Sequence, residues 1–274
     1  MSIWQLTDRG AVDTVRSVQK DGLNVLYPHN SGGDAYANFN FMQRAGKAQS
    51  VRFARASFPW LAWLLPALII NMTFGQELLM TVTDKKIAEL SKAFGPIAQQ
   101  RLTAWRALMT SPENLGLPER KKLELVNDFM NQTPFVSDLE QWGKEDYWAL
   151  PVEFLSTNGG DGEDFAMAKY FTLRALGVPD GKLQITYVKE TKVHKQAHMV
   201  LAYFETPDAE PLVLDNFDKA LQSASARTDL LPVYSFNGSS LWQAKERQGL
   251  GQPDGSSDTI PQWKDVKRRM KAAT

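Results

Sequence analysis

Cysteine is missing altogether from this chain of 274 residues. Its absence excludes disulfides, cysteine-ligated metal centres, thiol redox chemistry and a cysteine nucleophile. It leaves the compartment open, because a domain of this size folds without disulfides. Excess charge of either sign is missing too: 31 Lys and Arg balance 31 Asp and Glu. A neutral chain lacks the basic footprint of a general nucleic-acid binder, so no nucleic-acid partner is expected. Internal repeats and low-complexity tracts are also lacking, and an apolar share of 43% is ordinary for a protein with a buried core.

The main apolar run, residues 58–72 (FPWLAWLLPALIINM), is 15 residues without a charge. A bilayer span needs about 20 such residues. Pro59 and Pro66 interrupt the run, which suits the apolar region of an export signal better than a stable membrane helix. Residues 42–57 before it carry Arg44, Lys47, Arg52 and Arg55 and no acid, while Thr73 and Gly75 supply small residues for a cut after Gly75. Two readings of the start remain open. Either translation begins at Met42, or residues 1–57 are a cytoplasmic tail on a signal anchor. A third, bland reading makes the run a buried core helix. The expected organisation is therefore an extension and signal flank at 1–57, a signal core and cleavage region at 58–75, and one exported domain at 76–274.

That domain reads as helices first and strands second. Residues 83–94 place Ile87, Leu90 and Phe94 on one face before Gly95 and Pro96 stop the helix. Segments 101–109 and 119–130 follow, the latter with Leu123, Leu125, Val126 and Phe129 as an apolar stripe. A strong helical pattern covers 163–176. Beyond it, 183–188, 198–204, 212–214 and 233–236 are short, β-rich and separated by turn residues. Helices followed by an antiparallel sheet define an α+β arrangement. The basic tail at 263–271 reads as a solvated terminal helix, with contact at a membrane surface as the alternative.

The densest polar cluster is NGGDGEDFAMAKYF at 158–171. Asp161 stands where a helix N-cap belongs, and Glu163 and Asp164 add negative charge to the first turn, where the helix dipole favours it. Capping alone accounts for these residues. Three carboxylates within four residues also suit a hard cation such as Ca²⁺, although the spacing is not that of an EF-hand loop. Further on, His198 opens one strand and Asp215 closes another. Together they could form a base and its orienting carboxylate, whereas a lone strand histidine is more commonly a packed core or edge residue. His194, between Lys192 and Lys195, reads as part of a solvated turn. Trp142, Tyr147 and Trp148 read as packing between the helical half and the sheet, or as a substrate groove.

Five blocks occur in order: WGKEDYWALPVEFL, GGDGEDFAMAKYFTLRALGVP, AHMVLAYF, PLVLDNF and DLLPVYSFN. In this order and spacing the chain resembles the bacterial transglutaminase-like cysteine proteinases, specifically the LapG-type periplasmic proteases that cut large surface adhesins. The resemblance spans roughly residues 98–242. It implies a papain-like or transglutaminase-like fold with a Cys-His-Asp triad, in which His198 is the histidine and Asp215 the aspartate. It further implies Ca²⁺ bound by Asp161 and Glu163, with Asp164 as a third contributor. The implied location is the periplasm, and the implied partners are a large adhesin as substrate and a LapD-like membrane receptor. The membrane itself enters only through an uncleaved signal segment.

One departure decides what can be expected of the chemistry. The family block reads G-D-C-E-D, and the position of its cysteine is Gly162 here. Glycine offers neither thiol nor hydroxyl, so covalent attack has no atom to start from. Without it, any residual rate falls by several orders of magnitude. A natural pseudoprotease, a substituted form and a one-base change each account for glycine at this position. An inactive endopeptidase and a non-catalytic binder of adhesin or receptor are the two expectations that follow.

Overall fold

The computed structural model describes residues 77–243 and 252–273. The expectations for residues 1–57 and 58–75 lie outside the described residues. Among the described residues, no helix is long and apolar enough to cross a membrane.

The helical half comprises α1 (Asp84–Phe94), α2 (Pro96–Thr110), α3 (Pro112–Leu115), α4 (Glu119–Met130), α5 (Asp138–Trp142), α6 (Pro151–Thr157) and α7 (Gly162–Ala175). Thr83 caps α1 with its hydroxyl on the Lys86 N–H, and Gly95 closes the helix at φ +88°. That conformation is costly for any residue with a Cβ. Pro96 then starts α2 at its first turn, five residues before the sequence pattern suggested, because the missing proline N–H costs nothing there.

The strands β1 (Leu183–Glu190), β2 (Ala197–Tyr203), β3 (Leu212–Leu214), β4 (Gln222–Ser223), β5 (Leu230–Phe236), β6 (Ser240–Gln243) and β7 (Gly255–Ser256) form one antiparallel sheet in the order β4-β3-β2-β1-β5-β6-β7. The α+β expectation, helices and then an antiparallel sheet, holds. The pairing Leu201↔Leu214 sets the beginning of β2 beside the end of β3. His198 and Asp215 are thereby brought to the same margin of the sheet.

α7 is the central post of the fold. Every residue from Asp164 to Arg174 is buried, which is why its sequence is apolar around most of its circumference. It packs on β2 and β1 on one side and on α4 and α6 on the other. Trp105 of α2 donates its indole N–H to Thr172 of α7 at 2.8 Å, so this buried polar pair is satisfied within the core.

The terminal helix α8 (Pro261–Ala272) corrects the reading of a solvated tail. Trp263 is fully buried. Its ring packs on Phe171 at 5.6 Å and on Phe236 at 5.2 Å, and its N–H donates to the Asn237 carbonyl at 3.0 Å. One large aromatic with a satisfied polar edge outweighs the basic residues around it. Trp148 likewise belongs to the core and stacks on Phe236 at 5.7 Å. Trp142 and Tyr147 form a half-buried pair, their ring centroids 4.7 Å apart.

Candidate active site and adjoining carboxylate cluster

Gly162 is the first residue of α7, and His198 stands directly against it. An ideal Cβ built on Gly162 would lie 2.9 Å from His198 Cε1, closer still to Nδ1, and 3.0 Å from the Met199 backbone nitrogen. The other ring nitrogen, Nε2, meets Asp215 Oδ1 at 2.7 Å. Both side chains are buried, His198 at 4% exposure and Asp215 at 1%.

Asp215 is fixed on every side. Its Oδ1 also accepts from the Asn216 and Phe217 backbone N–H groups, at 2.6 and 3.1 Å. Its Oδ2 accepts from Arg227 Nη2 at 2.7 Å, and Asp229 holds that guanidinium from the other side at 2.7 Å. Burial pushes the Asp215 carboxyl up. The His198 hydrogen bond and charge, the Phe217 N–H and Arg227 together outweigh burial and hold it below the usual carboxylate range. An ionised carboxylate only accepts, so His198 Nε2 carries a proton toward Asp215, and Nδ1 faces position 162. Imidazole, orienting carboxylate and helix terminus are all arranged around a residue with no side chain.

Phe217 packs flat on the His198 ring with centroids 4.2 Å apart, and touches His194 at 4.0 Å and Phe135 at 5.5 Å. His194 is on the β1–β2 loop. That loop is gathered onto Glu190, whose carboxylate accepts from the backbone N–H groups of Lys192, Val193, His194 and Lys195 at 2.5 to 3.0 Å. Burial opposes the charge on Glu190, yet these four donors draw its pKa down to about 2.

The carboxylates divide in a way the sequence did not show. Asp161 occupies the N-cap position of α7 but makes no side-chain capping hydrogen bond. It converges instead with Glu163 and with Asp138 of α5, each offering one oxygen within 4.8 Å of the others. Asp164 does not join them. It turns inward, where Oδ1 accepts from the Ala149 N–H at 2.7 Å. Its Oδ2 lies where a Cβ on Gly160 would come within 2.5 Å, so only glycine fits at 160. Asp138, the third member of the cluster, was not recognised in the sequence. It lies 23 residues before Asp161 on a separate short helix, and no local spacing joins them.

Two oxygens of the cluster are left over. Asp138 Oδ1 and Asp161 Oδ1 are buried with no hydrogen-bond partner. Burial pushes Asp138 up to about 7, with the charges of Asp161 and Asp146 adding to the effect. Burial raises Asp161, and raises Glu163 well above the usual range with help from Asp161 and Asp164. Oxygen-only, mutually repelling ligands, one buried and two half-buried, fit a hard divalent cation, which relieves both the repulsion and the orphaned oxygens.

A helix N-terminus, an imidazole and a buried carboxylate in this relation, set on an antiparallel sheet, define the papain-like or transglutaminase-like class of hydrolase architecture. Residues 104–243 match the family model of the bacterial transglutaminase-like cysteine proteinases. The chain belongs to that family. Among solved structures it is similar to Legionella pneumophila LapG in an EGTA-treated form, at 43% identity and a TM-score of 0.59, covering 68% of this chain and 96% of that one. It is also similar to the calcium-bound form of the same protein, at 43% identity and a TM-score of 0.58, covering 68% of this chain and 98% of that one. No curated protein sequence matches the chain.

Proposed function

We propose that the chain carries the site of a periplasmic, calcium-dependent cysteine endopeptidase acting on a large surface adhesin, and so on biofilm attachment, and that glycine at 162 leaves it unable to cut in this form. One observation carries the reading: His198 Nδ1 faces Gly162 while Nε2 is held by Asp215. His198, Asp215 and the α7 terminus surround position 162 as a thiol-activating site requires, and the imidazole would have to move back to admit a cysteine Cβ. With a cysteine at 162, the α7 N-terminus and the adjacent imidazole would favour the thiolate, and His198 would return the proton to the leaving amine. Backbone N–H groups at the start of α7 are the natural oxyanion donors. Ca²⁺ at Asp138, Asp161 and Glu163 would neutralise the carboxylates flanking position 162 and order the turn that leads into α7.

A second reading, a pseudoprotease that binds the adhesin or a LapD-like receptor without cutting, draws on a specific observation. The His198 ring stands so close that a Cβ at 162 would collide with it, so the site is settled around glycine.

A paired cleavage assay on an N-terminal adhesin fragment tests both. This protein and Gly162→Cys are compared with Ca²⁺ and with chelator. Cutting by the cysteine form alone, and only with Ca²⁺, supports the first reading. If neither form cuts while this protein retains the fragment or the receptor's periplasmic domain on a column, the second reading replaces it.

A further inference from the structure

Arg269, near the end of α8, reaches across 116 to 122 residues of sequence to grip a segment on the far side of the carboxylate cluster. Its Nη2 donates to the Trp148 carbonyl, while Nη1 donates to Glu153 Oε2 at 2.9 Å and to the Tyr147 hydroxyl at 3.2 Å. Asp265, one turn earlier on α8, accepts from Nε at 2.7 Å and so orients the guanidinium itself. The buried Trp263 anchors the helix that presents it.

The gripped segment reaches the cluster through one N–H group, that of Tyr147, and spends the next two on carboxylates beside it. Tyr147 N–H donates to Asp138 Oδ2 at 2.5 Å, Ala149 N–H to Asp164 Oδ1 at 2.7 Å, and Leu150 N–H to Glu153 Oε2 at 2.7 Å. Asp138 is 3% exposed, and its second oxygen, Oδ1, has no partner. The Tyr147 N–H therefore fixes the carboxylate by one oxygen and leaves the other for a cation shared with Asp161 and Glu163. We infer that Arg269 is a positioning residue for the cation site: it holds the 147–149 strap so that the Tyr147 N–H turns Asp138 toward the cluster. The inference rests on the calcium reading above and extends it to the C-terminal helix.

Calorimetric titration of Ca²⁺ into the full chain tests it, with melting in chelator as a separate measure of the empty fold. Arg269→Gln is expected to weaken Ca²⁺ at least tenfold at a temperature where the variant is fully folded. Arg269→Lys, which cannot bridge the same acceptors, is expected to fall between the two. Lys264→Ala, at an exposed position on the same helix, is expected to leave affinity unchanged. Because the effect runs through Asp138, Arg269→Gln should cost no further affinity in an Asp138→Asn background. Should Arg269→Gln not fold, the lysine variant gives the same reading.

The outcomes separate the two layers. If the parent protein takes up no Ca²⁺, the calcium reading falls and the inference with it. If the parent binds and the Arg269 variants bind equally well, melting only at lower temperature, the calcium reading stands. Arg269 is then merely a clamp for α8, and the inference is overturned.

Discussion

Arg227 and His198 hold the two oxygens of Asp215 at the same distance, 2.7 Å each. The aspartate is thus balanced between a permanent cation and an imidazole. What the imidazole offers to position 162 depends on a guanidinium that never approaches it. Arg227→Met leaves Asp215 a buried charge with its main counter-ion gone, which costs about 3–5 kcal/mol. Chemical denaturation is expected to show that loss, and an Asp215→Asn, Arg227→Met double variant is expected to recover part of it. Strict additivity of the two losses would mean that the pair is not coupled.

Gly162→Ala isolates the steric term from the chemical one. The new methyl enters space held by the His198 ring, which Asp215 and Phe217 keep from swinging freely. Overpacking of this kind costs about 1–3 kcal/mol. The expected outcome is a lower melting temperature with a displaced His198 resonance in NMR spectra. An unchanged spectrum would show that the ring has room the structure does not give it.

Lys169 provides a pH dependence. It lies on α7, fully buried, and its Nζ has no hydrogen-bond partner. Burial drives its pKa down to about 7, while the charge of Asp215 pulls upward and that of Lys219 adds to the fall. In the unfolded chain a lysine titrates near 10.4. Between these values the unfolded state binds more protons, so stability rises with pH across that window. Below about 7 both states are charged and the fold carries the whole cost of burying the ammonium. Lys169→Met should therefore stabilise the protein, most at acid pH and progressively less as pH climbs toward 10. A melting-temperature gain that does not vary with pH would contradict this.

Asp138 and Asp164 make a discriminating pair for metal binding. Asp138→Asn removes a ligand of the cluster and is expected to weaken Ca²⁺ at least tenfold by calorimetry. Asp164→Asn acts on the Ala149 N–H contact behind Gly160, so its main cost should appear in thermal stability with chelator present. The reverse pattern would restore Asp164 as a ligand of the cation.

Much of the fold could be read from the residues because its large elements carry their own period. The apolar circumference of α7 and the β-rich runs of β1, β2 and β5 needed no tertiary information. α5 and α6 span five and seven residues, and β4 and β7 two each. Within so few residues no periodicity can develop. His198 and Asp215 were visible because each sits at the end of a recognisable strand. Arg227 was not, because it stands in an irregular Ser- and Ala-rich stretch whose only signature is its fold-level contact with Asp215. Asp138 was hidden for the same reason. For α8 the tail's basic residues drew attention, while the single residue that decides its placement, Trp263, looked like one aromatic among charges.

The four amides gathered on Glu190 also bear on the surroundings of His198. A loop with free N–H groups can re-form at little cost. This one has already committed the backbone of Lys192, Val193, His194 and Lys195 to a single carboxylate, so any rearrangement would strand an anion against broken hydrogen bonds. His194 is therefore held against Phe217, and Phe217 against His198, as a preset edge. The rigidity of one carboxylate's hydrogen bonds thus passes through His194 and Phe217 to the face of the His198 ring.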